Sequence, residues 1–192
     1  MRAFLAVELS DAARTALARL QQQLAATGAD VKWTEEENLH ITMRFLREIT
    51  EEQRQGIEAV LRGVATQTNT MPVQLTGLGA FPSMSSPRVL WVGIGAGQEA
   101  LTKIAEEIER GIVALGLPKA DHPFSAHVTL GRVRSSRRRQ ELSRALTGAR
   151  WDPPEPFVAD HLTLVQSVLA PTGPTYTTLA AFPFTPSPAP SA

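Results

Sequence analysis

His40-Ile41-Thr42-Met43 and His127-Val128-Thr129-Leu130 share one form: histidine, apolar, threonine, apolar. On a β-strand alternate side chains point to one face and the rise is about 3.3 Å per residue, so each histidine and its threonine look the same way, about 7 Å apart. The apolar members face the opposite, buried side. Two such strands opposed across a cleft surround one small volume with two imidazoles and two hydroxyls. Imidazole exchanges a proton near neutral pH, and a pair can run coupled transfers: one ring takes a proton from an attacking hydroxyl or water while the other gives one to a leaving oxygen. Threonine hydroxyls donate to phosphoryl oxygens. The set therefore suits phosphodiester chemistry carried by positioning and acid–base work, without a covalent intermediate.

A single histidine–threonine pair on a strand is common and carries little weight; two copies in comparable settings carry the inference. A third string, His161-Leu162-Thr163-Leu164, has the same form. It lies in a proline-flanked strand without a helix-bearing half of its own, and no arginine follows it promptly, whereas Arg44 and Arg132 follow the first two. His161 therefore reads as a structural or cleft-edge residue. His122 precedes Pro123 in a turn, where facing solvent is the default and lining the cleft the alternative. The four histidines do not read as a metal centre, because no cysteine or HExxH is present and His40 and His127 are far apart in sequence. No glycine-rich phosphate loop or GxSxG occurs either. Neither metal nor cofactor is expected.

Residues near the motifs extend the candidate site. Arg44 lies four positions after His40 and shares its parity, which directs it toward the cleft. Arg132 lies five after His127, falls on the opposite face under strict alternation, and reaches a phosphate only if the strand ends or bulges first. Phe45 and Trp33 are candidates to stack on a base at the cleft edge, with a core role as the alternative. Arg134 and the run Arg137 to Arg139 suit a polyanionic backbone or, equally, a solvated surface.

The elements that must hold these groups are legible from periodicity and caps. Phe4 to Leu9 reads as a first strand, and Ser10 caps a helix with Ala13, Leu17, Leu20 and Leu24 on one face, stopping near Gly28. Val31 to Trp33 is a short extended piece, and LHITMRFL is a strand. Thr50 with Gln53 forms a capping box for a second helix carrying Ile57, Val60, Leu61 and Val64. Met71 to Leu78 and Arg88 to Ile94 read as strands, followed by a helix from about Gln98 to Leu115. AHVTLGRV is a strand, a short helical segment runs through Leu146, and Phe157 to Leu169 and Tyr176 to Phe184 contain the last strands. A helix-bearing half around HITM is thus followed by one around HVTL. Residues 185–192, rich in proline, read as a flexible tail.

Composition narrows the class. The chain has 192 residues, no cysteine, 19 Lys plus Arg against 19 Asp plus Glu, and 43% hydrophobic residues. These values exclude a disulfide-stapled mini-protein, a thiolate metal site and a cysteine nucleophile. Balanced charge argues against a general polyanion binder and leaves room for a local positive cleft. Met1 to Leu9 lacks the pattern of a secretory signal and no apolar run reaches the length of a membrane span, so a cytoplasmic protein with no membrane partner is expected.

The motifs together with MRAFLAVEL, VKWTEEENLHITMRFL, LGAFPSMSSPRVLWVGI, FSAHVTLGRVR and LTLVQSVLAPTGPTYTTLAAFPF resemble, in order and spacing, the 2H phosphoesterase superfamily, and within it the RNA 2′,3′-cyclic phosphodiesterases, also labelled 2′-5′ RNA ligases. The resemblance covers residues 1–184. It implies an α+β, bilobal fold with two antiparallel sheets facing across a central cleft and helices on the outer faces, forming one catalytic domain of two pseudo-symmetric lobes over residues 1–184. The implied reaction is metal-independent opening of an RNA terminal 2′,3′-cyclic phosphate to a 2′-phosphomonoester, with a reverse-like ligation joining tRNA halves through a 2′-5′ link. The implied enzyme is a monomer acting on RNA ends. His40 is assigned as acid and His127 as base, with Thr42 and Thr129 on the non-bridging oxygens. Gly131 stands where alanine is expected. Competing functions are a phosphodiesterase for small nucleotides or ADP-ribose cyclic phosphate, and an RNA-end binding module without turnover.

Overall fold

The computed structural model describes residues 1–171 and 173–188. Strand β1 (Arg2–Glu8) leads into helix α1 (Asp11–Ala25), whose first turn is capped by the Ser10 hydroxyl accepting from the Ala13 amide at 3.2 Å. Strand β2 (Val31–Trp33), a 3-10 turn at Glu36–Asn38 and strand β3 (His40–Glu48) follow. Helix α2 (Glu51–Thr66) carries the expected reciprocal cap: Thr50 Oγ1 accepts from the Gln53 amide and Gln53 Oε1 accepts from the Thr50 amide. Next come β4 (Met71–Val73), β5 (Leu75–Pro82), β6 (Pro87–Ile94) and helix α3 (Gln98–Ala114). The chain finishes with β7 (His127–Val133), α4 (Arg139–Gly148), β8 (Phe157–Ala159), β9 (His161–Ala170) and β10 (Gly173–Pro183).

The strands form two antiparallel wings. One is ordered β10-β9-β1-β3, the other contains β7-β6-β5 with β2 on the free side of β7. The wings are not separate sheets: β3 and β7 join them through one residue pair, Ile41 with Val128. Leu5, Val7, Ile41, Leu90, Val92, Val128, Leu162 and Leu164 are all buried on the side that receives Leu17 and Leu20 of α1, Ile57 and Leu61 of α2, Leu101 and Ile108 of α3 and Leu142 of α4. One core thus lies between the sheet and all four helices, an α+β, bilobal arrangement with the helices peripheral. A second, smaller cluster of Phe4, Ala6 and Val165, with Tyr176 against it, sits on the other face of the first wing. No helix among the described residues is long and apolar enough to cross a membrane.

Two expected strands divide. Met71 to Leu78 breaks at Gln74, whose amide donates to the Ala96 carbonyl and whose side chain donates to the Pro154 carbonyl, so that β4 leaves the sheet and pairs with β8. The Phe157 to Leu169 strand divides at Asp160 into β8 and β9 for the same reason. The first residues of the expected tail are held against the segment that precedes β4. Thr185 bridges Asn69, its amide donates to the Thr68 carbonyl, and Ser187 exchanges hydrogen bonds with Thr70, so the chain stays attached through Ser187. Residues 189–192 of that expected tail lie outside the described residues.

Candidate active site

The antiparallel register set by the Ile41–Val128 pair puts His40 opposite Thr129 and Thr42 opposite His127. Ile41 and Val128 are fully buried. Their neighbours therefore share the opposite face, and the two motifs lie diagonally around the seam with an approximate two-fold relation.

Both imidazoles are held in the same way. Nδ1 of His40 lies 2.7 Å from the Asn38 carbonyl oxygen, and Nδ1 of His127 lies 2.7 Å from that of Ser125. A carbonyl only accepts, so each Nδ1 carries the proton, and in the neutral ring Nε2 is left with its lone pair. Thr42 Oγ1 is 2.8 Å from His40 Nε2 and donates to it while that ring is neutral. Burial lowers the pKa of both histidines below the usual imidazole value, against the raising effect of the two carbonyl contacts. Charge acts differently at the two rings. Arg14 and Glu8 pull His40 in opposite directions, with His127 adding a small lowering, whereas Arg132 lowers His127 with no carboxylate opposing it.

Aromatic walls flank each ring. Phe4 stacks on His40 with centroids 4.7 Å apart and planes at 23°, and Tyr176 meets both edge-on at 4.9 and 5.8 Å. Burial raises the pKa of the Tyr176 phenol, so its hydroxyl stays protonated. On the second wing Phe81 and Trp91 meet His127 edge-on at 5.7 and 6.3 Å. The Trp91 indole lies directly over Gly79, where an added Cβ would come within 2.3 Å of the ring. Strand reading alone did not place these four aromatics. The available signals were that Phe4 shares parity with Ala6 and Glu8, and that Tyr176 is the chain's single tyrosine.

Arg44 and Arg132 lie opposite to where strict alternation puts them, Arg132 by the bulge its contact with a phosphate requires. Ala6 pairs with Thr42 and Leu5 with Arg44, which leaves Met43 unpaired. This β-bulge reverses the alternation beyond it. Arg44 turns to the helix side, where Nε donates to Glu109 at 2.6 Å and the remaining nitrogens donate to the Phe45 and Pro118 carbonyls. It ties β3 to α3 and does not reach the cleft. Phe45 turns to the cleft side instead, with its ring 6.2 Å from Phe4 and 58% of its surface exposed. The second motif repeats the device: Trp91 pairs with Thr129 and Leu90 with Gly131, leaving Leu130 unpaired. Beyond that bulge Arg132 shares the histidine face, where its charge is felt by both His127 and Tyr176.

The remaining candidates are placed as follows. Trp33 pairs with Gly131 on the core side of β7 and packs against the core, away from the cleft. Arg134 is exposed at the end of β7, its amide donating to the Asp30 carbonyl. Within the arginine run, Arg138 is held against Thr27 and Gly28 by a 3.3 Å bond to the Thr27 carbonyl. His161 sits between Asp160 and Glu8, and Thr163 donates to the Ala6 carbonyl at 3.2 Å, so the third string is engaged in holding β9 and β1. Among the described residues no group of three or more His, Asp or Glu is gathered to hold a metal ion.

A model of the LigT-like phosphoesterases matches the chain twice, over residues 7–91 and 92–176, one histidine motif in each match. The chain belongs to the LigT-like phosphoesterases. An RNA 2′,3′-cyclic phosphodiesterase of Aeropyrum pernix is 36% identical over 163 residues, 85% of this chain and 92% of that protein. One from Archaeoglobus fulgidus is 35% identical over 182 residues, 95% of this chain and 99% of its own length. Among solved structures, TT0787 of Thermus thermophilus superposes with a TM-score of 0.78 at 29% identity, covering 96% of this chain and 98% of that one. Escherichia coli LigT complexed with 3′-AMP shares the fold at a TM-score of 0.76 and 21% identity, with coverage of 96% and 98%. The double match makes the two halves of this LigT-like phosphoesterase counterparts, in line with the mirrored bulges at Met43 and Leu130.

Proposed function

We propose that this phosphoesterase opens the 2′,3′-cyclic phosphate at RNA ends to a 2′-phosphomonoester, with His40 and His127 as acid and base. The observation that carries the reading is the diagonal set at the Ile41–Val128 seam: two imidazoles with Nδ1 tethered, Nε2 of His40 met by the Thr42 hydroxyl, and a threonine opposite each ring. Water attacks phosphorus in line with the 3′-oxygen. His127 Nε2 takes the water proton as the new P–O bond forms, the P–O3′ bond breaks, and a proton on His40 Nε2 passes to O3′. The unopposed Arg132 favours a neutral His127 and hence the base role. Around His40 the Arg14 and Glu8 charges offset one another, and the anionic phosphate favours the imidazolium when it arrives.

Thr42 and Thr129 donate to the non-bridging oxygens, and Arg132 adds a charge-assisted contact from the histidine face. Phe45, exposed beside Phe4, offers a stacking surface for a base. Arg134 continues the positive edge beyond Arg132. In this reading the partners are RNA ends, tRNA halves among them, and the reverse step joins such ends through a 2′-5′ link. The enzyme works as a cytoplasmic monomer, with residues 1–184 as its catalytic unit. The test is an oligonucleotide ending in a 2′,3′-cyclic phosphate, incubated with a chelator. A 2′-phosphate product, lost in His40→Ala and in His127→Ala while both stay folded, is the expected result. A 3′-phosphate product would reverse the leaving oxygen, and full activity in either variant would overturn the paired-histidine reading.

A further inference from the structure

We infer that Glu8 is a positioning residue that sets His40 apart as the acid of the pair, with His161 of the third histidine string helping to hold its carboxylate; this rests on the reading of the histidine pair given above. Glu8 is the last residue of β1 and pairs with His40, the first residue of β3. Residues directly opposite on antiparallel strands point to the same face, with Cβ atoms about 5 Å apart, and both side chains line one recess beside the seam. The carboxylate is bracketed there. Its Oε2 lies 3.8 Å from His161 Nε2 on β9 and 4.0 Å from Arg14 Nη2 on α1, while Asp160 engages Nδ1 of His161. The third string thus turns its imidazole toward Glu8, one side chain removed from the reacting pair.

The two cleft histidines differ at this point. Burial is the largest influence on both rings, and a backbone carbonyl is the next. Each ring then feels one guanidinium, Arg14 at His40 and Arg132 at His127, and a guanidinium disfavours the imidazolium. At His40 the Glu8 carboxylate acts against it, and His127 adds a small effect of the same sign as Arg14. The other charged neighbours do not take over this part: Asp11 is fully exposed and faces Arg14 at 3.6 Å, and Glu37 is exposed on the far rim of the recess. The Tyr176 phenol is neutral. Without Glu8, His40 faces an opposing guanidinium alone, as His127 does, and the division into acid and base loses its electrostatic basis. The effect is moderate, because 39% of the Glu8 side chain is open to solvent.

The experiment follows the His40 and His127 ring signals by NMR as pH is varied, in the native protein, Glu8→Gln, Glu8→Asp, His161→Gln and the Glu8→Gln/His161→Gln pair, with kcat/KM for cyclic-phosphate opening measured on the same preparations and melting as the check on folding. In Glu8→Gln the His40 midpoint should fall by about half a pH unit while that of His127 stays in place. Above that midpoint kcat/KM should fall about threefold, the loss of protonated acid that half a pH unit represents. Glu8→Asp, which keeps the charge, should recover most of both. His161→Gln should move the His40 midpoint when Glu8 is present and leave it unmoved in Glu8→Gln, since it acts through the carboxylate. An unmoved His40 midpoint in Glu8→Gln, or equal movement of both histidines, overturns the inference; a His161→Gln effect of the same size in both backgrounds overturns the part given to His161. Cyclic-phosphate opening that survives His40→Asn would instead count against the reading of the histidine pair, whatever Glu8 does.

Discussion

Arg44 and Arg132 provide the sharpest test of how the strands aim their side chains. Simple alternation sends Arg44 to the cleft and Arg132 away from it, and the bulges at Met43 and Leu130 reverse both. In Arg44→Gln the 11%-exposed guanidinium is lost, leaving the Glu109 carboxylate with the Ala120 amide and freeing the Phe45 and Pro118 carbonyls. Breaking a fully buried ion pair costs about 3–5 kcal/mol. Glu109 retains 30% exposure and water can reach it, so about 2–3 kcal/mol is the better figure here. For a chain of this size each kcal/mol lowers the melting temperature by about 2–4 °C, and Arg44→Gln should melt about 4–12 °C lower. Arg132→Gln touches an exposed side chain for which the described residues show no ion pair, and its stability should stay within about 0.5 kcal/mol.

Activity should divide the other way. A charge-assisted contact to a phosphoryl oxygen is worth about 2–3 kcal/mol, so losing Arg132 should lower kcat/KM for cyclic-phosphate opening by about 30- to 150-fold. Arg44→Gln should keep kcat/KM within about threefold at a temperature well below its midpoint, roughly 1 RT of disturbance transmitted through β3. Calorimetric melting and steady-state kinetics on the same preparations measure both arms. If Arg44→Gln is inactive while folded and Arg132→Gln retains full activity, the side chains lie where uninterrupted alternation would put them, and the bulge argument is wrong.

Four further outcomes follow from named contacts. Thr163→Val should cost about 1 kcal/mol through the lost bond to the Ala6 carbonyl and leave kcat unchanged, as measured by denaturant unfolding and turnover; a catalytic loss as deep as for Thr42→Val would make the third string part of the chemistry. Gly131→Ala introduces a Cβ 2.9 Å from both the Lys32 carbonyl oxygen and Val31 Cγ1, so it should destabilise by about 1–3 kcal/mol, and a change under 0.5 kcal/mol would show that β2 yields freely. The folded-state pKa of His40 lies below its unfolded value, so the unfolded chain binds the extra proton as pH falls below about 6.5 and stability declines there. His40→Asn should flatten that part of the stability–pH curve, and an unchanged slope would place the titration elsewhere. Gln21→Met removes donors 2.8 Å from the Leu130 and Thr34 carbonyls and should lower both stability and kcat/KM by releasing the Leu130 bulge; an effect on stability alone would separate the bulge from the position of Arg132.

The local signals in the chain were sufficient for α1, α2 and α3. The Ser10 cap, the Thr50–Gln53 box and the three-and-four spacing in α1 and α3 act over a few residues, and a linear reading sees all of them. The motif strands were equally legible, because alternation over four residues separates His40 and Thr42 from Ile41 and Met43. What a linear reading could not see was the point where alternation fails. At Leu130 the carbonyl accepts from the Thr34 amide and from Gln21, residues about a hundred positions away, and these contacts accompany the missing ladder position. Trp33 was misplaced for the same reason: its face follows from pairing with Gly131, and that pairing is a long-range fact.

The mirrored bulges also show where the two halves stop being equivalent. Each reverses alternation three residues after its histidine, and each delivers the residue five positions after that histidine to the cleft face. In the first half this residue is Phe45, in the second Arg132. The duplicated backbone thus presents an exposed ring on one side of the seam and a guanidinium on the other. A symmetric ligand has no use for that difference. A nucleotide does: its flat, neutral base and its anionic phosphate lie at opposite ends of one ribose. In the proposed reaction, the asymmetry at these equivalent positions would orient the substrate, and with it the choice of which imidazole meets the leaving oxygen.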